Sequence, residues 1–256
     1  MNAVLGDGAF GPAFDPAFDP EKAALAVTEA LRPLGTRARA AGSKEYLKSD
    51  LEFFGVTVPD MRRVVKSALR AQPGLDGAAV LEWAFALWRA PVFERRIAAV
   101  ELLEQSVTRL AATDLPAVEE LIRDARTWAL VDGLAAHVAG GIALRDPSSR
   151  PRIDAWSRDG DFWVRRSALL ALLPGIRSGE PELGRFTAYA EPMLMEKEFF
   201  IRKAIGWVLR EIARRDPRFT AEWTRDHLPR MSGVTFREAV RRLPASDAER
   251  LRSMRR

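Results

Sequence analysis

The feature that most constrains the fold is a repeat. The segments VFERRIAAVELL from Val92, FWVRRSALLALL from Phe162 and FFIRKAIGWVLR from Phe199 share one frame. Each has a leading aromatic (Phe93, Trp163, Phe200), then a basic pair (Arg95-Arg96, Arg165-Arg166, Arg202-Lys203), then an apolar run. TWALVDGLAAHV fits through Trp128 and TFREAVRRL fits loosely through Phe236; VPDMRRVVKSAL from Val58 reads as an earlier member. The aromatics at 93, 128, 163, 200 and 236 are 35, 35, 37 and 36 residues apart. With about two helices per unit, that period specifies stacked helix pairs, an α-solenoid of the HEAT or armadillo kind.

Local signals agree. Asp19-Pro20-Glu21 starts a helix, with Asp as N-cap and Pro in the first turn. Breaks are expected at Gly55, Pro73-Gly74, Pro91, Pro116, Gly140-Gly141, Pro147, Pro174-Gly175, Pro181, Pro217 and Pro244. The apolar spacing between them is helical and alternating runs are absent, so the expectation is an all-α chain of roughly a dozen helices, about six pairs. Residues 1–18 carry a small duplication, PAFDPAFD, and read as a flexible or loosely docked arm. Residues 19–256 read as one repeat domain.

Composition narrows the chemistry. There is no Cys, hence no disulfide, thiolate nucleophile or Cys-ligated zinc. The two histidines, His137 and His227, lie far apart in sequence, which argues against a His-based metal site or Ser-His catalysis. Neither a metal nor a cofactor is expected. No signal peptide or membrane span is legible, so a cytoplasmic protein is the default expectation. The net charge of +5 is uneven: residues 201–256 hold 15 basic and 7 acidic residues, the remainder 25 and 28. A basic C-terminal region points to a polyanion such as nucleic acid, or else to an Arg-rich solvated surface.

Comparison among the repeats singles out one carboxylate. Four residues after the leading aromatic stand Ile97, Ser167 and Ala204, but in the Trp128 unit Asp132. That unit also lacks the basic pair, having Leu130 and Val131 instead. A carboxylate at a near-core position costs free energy unless it is paired. It is therefore either functional or tied to a neighbouring repeat's Arg, such as Arg166. Trp128 shares its helical face. In KEFFIRKAIGWVLRE, residues 197–211, Ile201, Ile205, Val208 and Leu209 form an apolar stripe, while Gly206 and Trp207 fit no pattern. Equivalent helices of a solenoid line one concave surface, where Trp128, Asp132, Arg166 and Trp207 can meet. Two indoles, a carboxylate and a guanidinium suit a cationic, partly apolar ligand on a phosphate backbone. Trp83 and Trp88 read as core, and His137 as structural.

KEFFIRKAIGWVLRE, with DFWVRRSALL, TWALVD and YLKSDLEFFGVTVPDMRR, resembles the HEAT-repeat DNA alkylation repair proteins, the AlkD-type DNA glycosylases, over about residues 43–243. The resemblance implies a concave face that wraps duplex DNA. It implies hydrolytic removal of N3- and N7-alkylated purines bearing positive charge, without a base-flipping pocket, by a monomer needing no cofactor. It implies Asp132 as the catalytic carboxylate, Trp128 and Trp207 flanking the deoxyribose, Arg166 on a phosphate and Tyr46 near the site. The basic residues Arg165, Arg202 and Lys203 are then expected on the DNA backbone. Where the family often has a second Trp, this chain has Thr127. Some relatives share the fold without activity, so a non-catalytic module binding DNA structure or damage is the alternative.

Overall fold

The computed structural model describes residues 18–255. The arm expected at 1–18 lies outside the described residues except for Phe18, which is buried edge-on against Trp83 with ring centroids 5.7 Å apart. Asp19 caps the first helix by accepting from the N–H groups of Glu21 and Lys22.

Among the described residues there are sixteen α-helices: α1 Pro20–Leu31, α2 Arg37–Leu47, α3 Val58–Arg70, α4 Gly77–Trp88, α5 Phe93–Gln105, α6 Leu115–Ala125, α7 Trp128–Gly133, α8 Gly140–Arg145, α9 Arg150–Trp156, α10 Phe162–Leu170, α11 Leu173–Ser178, α12 Leu183–Met193, α13 Phe199–Ile212, α14 Pro217–His227, α15 Gly233–Ala239 and α16 Ala245–Arg255. No strand forms among them, and a single bridge joins Glu52 to Val92.

Six helix pairs pack in succession: α1 with α3, then α4–α5, α6–α7, α9–α10, α12–α13 and α14–α15. The second helices also stack on one another, α3 on α5, α5 on α7, α7 on α10, α10 on α13 and α13 on α15. This is the α-solenoid that the period demands, with one buried apolar core along most of its length and a smaller cluster at the C-terminal end. The excess over a dozen helices comes from pieces. The expected break at Gly140-Gly141 does not occur: a π-helical turn, Leu134–Ala139, joins α7 to α8 without leaving helical geometry. Those glycines serve packing instead, since a Cβ at Gly140 would sit 2.8 Å from the Ala171 carbonyl oxygen.

The basic pairs divide their work. The first member staples the turn leading into its own helix. Arg95 donates to the Ala86 and Leu87 carbonyls, Arg165 to those of Asp159 and Gly160, and Arg202 to that of Glu196. These carbonyls would otherwise lack helical partners. The second member reaches across to another unit: Arg96 to Asp124, Arg166 to Asp132 and Lys203 to Glu238.

Candidate active site

Helix α7 starts abruptly. Arg126 ends α6 in the left-handed region, φ 49°, and Thr127 is extended, so Trp128 opens the new helix and Asp132 lies one turn on. The π turn begins two residues later, a device common beside functional sites because it re-aims the following side chains. Trp128 and Asp132 are half-buried on the same face.

They line a cleft of about 490 Å³ together with Tyr46, Arg166, Phe199, Phe200, Lys203, Trp207 and Arg210. The four residues singled out by repeat comparison therefore meet in one place. Tyr46, near the end of α2, is 73% exposed and stands perpendicular to Trp128, its ring centroid 6.0 Å away. Helix α2 buries none of its residues, so this edge-to-face pair is one of its few attachments to the molecule.

Arg166 is 2% exposed. Its Nε and Nη2 donate to the two oxygens of Asp132, each at 2.8 Å, and Nη1 donates to the Phe200 carbonyl at 2.5 Å. The guanidinium also stands over the Phe200 ring, 5.9 Å from its centroid. Such a bidentate pair fixes the carboxylate rotamer. The phosphate contact expected of Arg166 thus competes with an existing use of its donors; in this arrangement Arg166 orients Asp132. Each carboxylate oxygen retains a second lone pair.

Arg165 and Arg202, expected on the DNA backbone, lie outside the cleft lining. Besides the turn carbonyls, Arg165 holds Glu196 at 2.7 Å. Their place in the repeat frame explains this, because they occupy the stapling position. Lys203 does line the cleft. His137 is outside it, bound through Nδ1 to Glu104 at 2.6 Å. That hydrogen bond holds the Glu104 carboxyl below its ordinary pKa, against the opposing effect of burial. Trp83 and Trp88 are core, with the Trp88 indole N–H donating to Asp124 at 2.8 Å. Thr127 is buried and its hydroxyl has no partner.

Sequence reasoning missed Phe199 and Arg210, which line the cleft, and Glu238, which pairs with the cleft residues Lys203 and Arg210. Phe199 is 52% exposed, an unusual place for a Phe, and its signal was the doubled aromatic before the basic pair. Gly206 also has a firmer cause than room for an indole or DNA. A Cβ there would lie 2.6 Å from Glu238 Cβ and 2.9 Å from the Thr235 carbonyl oxygen, so the glycine lets α13 and α15 cross closely.

The fold and cleft define a helical-repeat protein with an aromatic and cationic groove built around one oriented carboxylate. Residues 27–243 match the family model described as DNA alkylation repair enzyme, and the chain belongs to that family. Comparison with curated proteins gave no match. Among solved structures, a predicted DNA alkylation repair enzyme from Enterococcus faecalis is similar at a TM-score of 0.75 and 23% identity, covering 82% of this chain and 97% of that one. AlkD2 from Streptococcus mutans gives 0.52 and 16%, covering 86% and 97%. The smu.31 protein of Streptococcus mutans UA159 gives 0.51 and 17%, covering 76% and 97%.

Proposed function

We propose that this protein is a DNA glycosylase that hydrolyses the N-glycosidic bond of positively charged N3- and N7-alkylated purines in duplex DNA. The observation carrying the reading is Asp132, oriented by a buried Arg and facing a cleft walled by Trp128 and Trp207.

Alkylation makes the purine a cationic leaving group. The bond from C1′ to the base nitrogen breaks, its electron pair departs with the base and neutralises it, and positive charge grows on the deoxyribose. Asp132 stabilises that charge. Water then adds at C1′ and its proton passes to the carboxylate or to solvent. No acid is needed to protonate the base, in keeping with a cleft lined by no histidine. The indole faces contribute cation–π attraction of roughly 0.5–2 kcal/mol.

Asp132→Asn keeps the side-chain shape and removes the charge. The expected result is a loss of about 10²–10³ in release of 7-methylguanine and 3-methyladenine from methylated duplex DNA, the size typical of losing one preorganised electrostatic group. Full activity in that variant, or none in the wild type, overturns the reading. The pairing of Asp132 with Arg166 also favours a second reading, a non-catalytic damage-binding module in which the carboxylate is structural. That protein binds methylated duplex yet releases no base, and Asp132→Asn melts earlier without any activity to lose.

A further inference from the structure

Lys203, Trp207 and Arg210 lie four and three residues apart on α13 and share one helical face along the cleft wall. The two cations converge on a single carboxylate of α15: Glu238 Oε1 accepts from Lys203 Nζ and Oε2 from an Arg210 guanidinium N–H. Glu238 is 8% exposed. Burial pushes its pKa up, but the hydrogen bond from Lys203 and the charges of Arg210, Lys203 and Arg241 outweigh that and hold it below the ordinary value. Gly206 makes the arrangement sterically possible, since a Cβ at 206 would meet Glu238 Cβ at 2.6 Å.

One buried anion thus anchors two cations, each spending part of its donor set on it. A Lys ammonium has three N–H donors and an Arg guanidinium five. Those left over belong to side chains that line the cleft, set about one turn before and after Trp207 on α13. Being drawn to the two oxygens of one carboxylate, the heads are close enough to share one small anion.

We propose that Lys203 and Arg210 form a single socket for one DNA backbone phosphate beside Trp207, and that Glu238 is the positioning residue that sets its geometry. The inference rests on the DNA-repair reading above. In the socket Glu238 makes no contact with DNA. It holds both cations in one rotamer each, so the phosphate, and with it the deoxyribose against Trp207, is placed in register with Asp132.

The test begins with binding of unmodified duplex DNA across a salt series. Each phosphate neutralised contributes about −0.9 to the slope of log affinity against log salt. Lys203→Gln combined with Arg210→Gln should therefore reduce the slope magnitude by about 0.9, as expected for one shared phosphate. Replacing the phosphate nearest Trp207 by an uncharged methylphosphonate should give the same reduction in wild type and none in the double variant. A change of about 1.8, twice the single-phosphate value, means two separate phosphates and overturns the shared socket. No change overturns the phosphate role altogether.

Glu238→Gln is then assayed for base release in single turnover. The expected outcome is a rate reduced at least tenfold, with affinity for unmodified duplex equal to or tighter than wild type. An unchanged rate, or parallel loss of rate, affinity and melting temperature, overturns the positioning role. If Glu238→Gln does not fold, the Lys203 and Arg210 variants still decide the socket. A wild type that binds duplex DNA without salt dependence is a separate failure, that of the DNA-binding reading itself.

Discussion

At the residue scale, Arg166 and Gly206 show how one position changes meaning once its neighbours are known. In sequence, Arg166 is the second of a basic pair and looks available for phosphate. In the fold it is buried and matched atom for atom to Asp132 and the Phe200 carbonyl. Arg166→Ala leaves a half-buried carboxylate without its cation, and breaking a buried pair on one side costs about 3–5 kcal/mol. Both unfolding stability in urea and base release should therefore fall; loss of activity with unchanged stability would restore the simple phosphate role. Gly206→Ala sets two effects against each other. Alanine favours the helix by about 1 kcal/mol. Against this, its Cβ would press on Glu238 and on the Thr235 backbone, and overpacking costs about 1–3 kcal/mol. Because backbone cannot yield as a side-chain tip does, net destabilisation of about 1–2 kcal/mol is expected by denaturant midpoint. Asp132 itself was legible as a departure from the repeat frame. Glu238 was not, because α15 fits that frame only loosely and nothing local ties it to α13.

At the scale of elements, the period reappears as hydrogen bonding. Donors on the first helices of the pairs reach acceptors in adjoining units: Trp88 to Asp124, Trp156 to Glu119 at 2.6 Å, Tyr189 to Asp154 at 2.6 Å and Trp223 to Thr187 at 3.1 Å. Arg123 joins Glu119 to Asp159. Apart from Arg123 and Glu119, which are four residues apart on one helix, none of this was readable beforehand, because the partners lie 35–37 residues apart in sequence and each alone looks like an ordinary solvated side chain. Trp156→Phe preserves the ring but removes the N–H to a charged acceptor, for an expected loss of about 1.5–3 kcal/mol. The urea midpoint should drop with the m-value unchanged. The acids of this ladder also predict an acid response. At Glu119 and Asp154 burial raises the pKa, but hydrogen bonds and charges from the Arg, Trp and Tyr partners prevail and lower it. At Asp159 the Arg123 hydrogen bond dominates and lowers it. Carboxyls with lowered folded-state pKa bind fewer protons than in the unfolded chain, so their stabilisation is complete above the ordinary carboxylate range, near pH 4, and is lost as pH falls through the folded values. Melting temperature should therefore decline on acidification below about pH 4, and a flat profile there would contradict the ladder.

For the whole molecule, the repeat period specified the solenoid because a helix pair cannot bury its apolar face alone and equal spacing leaves stacking as the solution. What the period does not carry is which cations face the groove. The frame makes that distinction structurally: the stapling position takes Arg95, Arg165 and Arg202 out of contention, and the second position spends Arg96 and Arg166 on acids of other units. Lys203 and Arg210 face the cleft, and further charge for the DNA backbone must come from outside the frame. Arg241 and Arg242 lie in the short turn Val240–Arg242 after α15, are exposed, and belong to the end of the chain with the basic excess. If they contact backbone phosphates, their effect is independent of base identity and of damage. Arg241→Glu with Arg242→Glu should then weaken binding of methylated and unmodified duplex by equal factors and flatten the salt dependence by roughly 0.9 for each phosphate lost. The single-turnover rate at saturating enzyme should be unchanged in Arg242→Glu alone, because Arg242 does not line the cleft that holds Asp132, whereas the charge of Arg241 acts on Glu238. A fall in that rate would place Arg242 in the catalytic geometry. Unequal losses on damaged and undamaged duplex in the double variant would mean that the two arginines sense the lesion and do not merely grip its backbone.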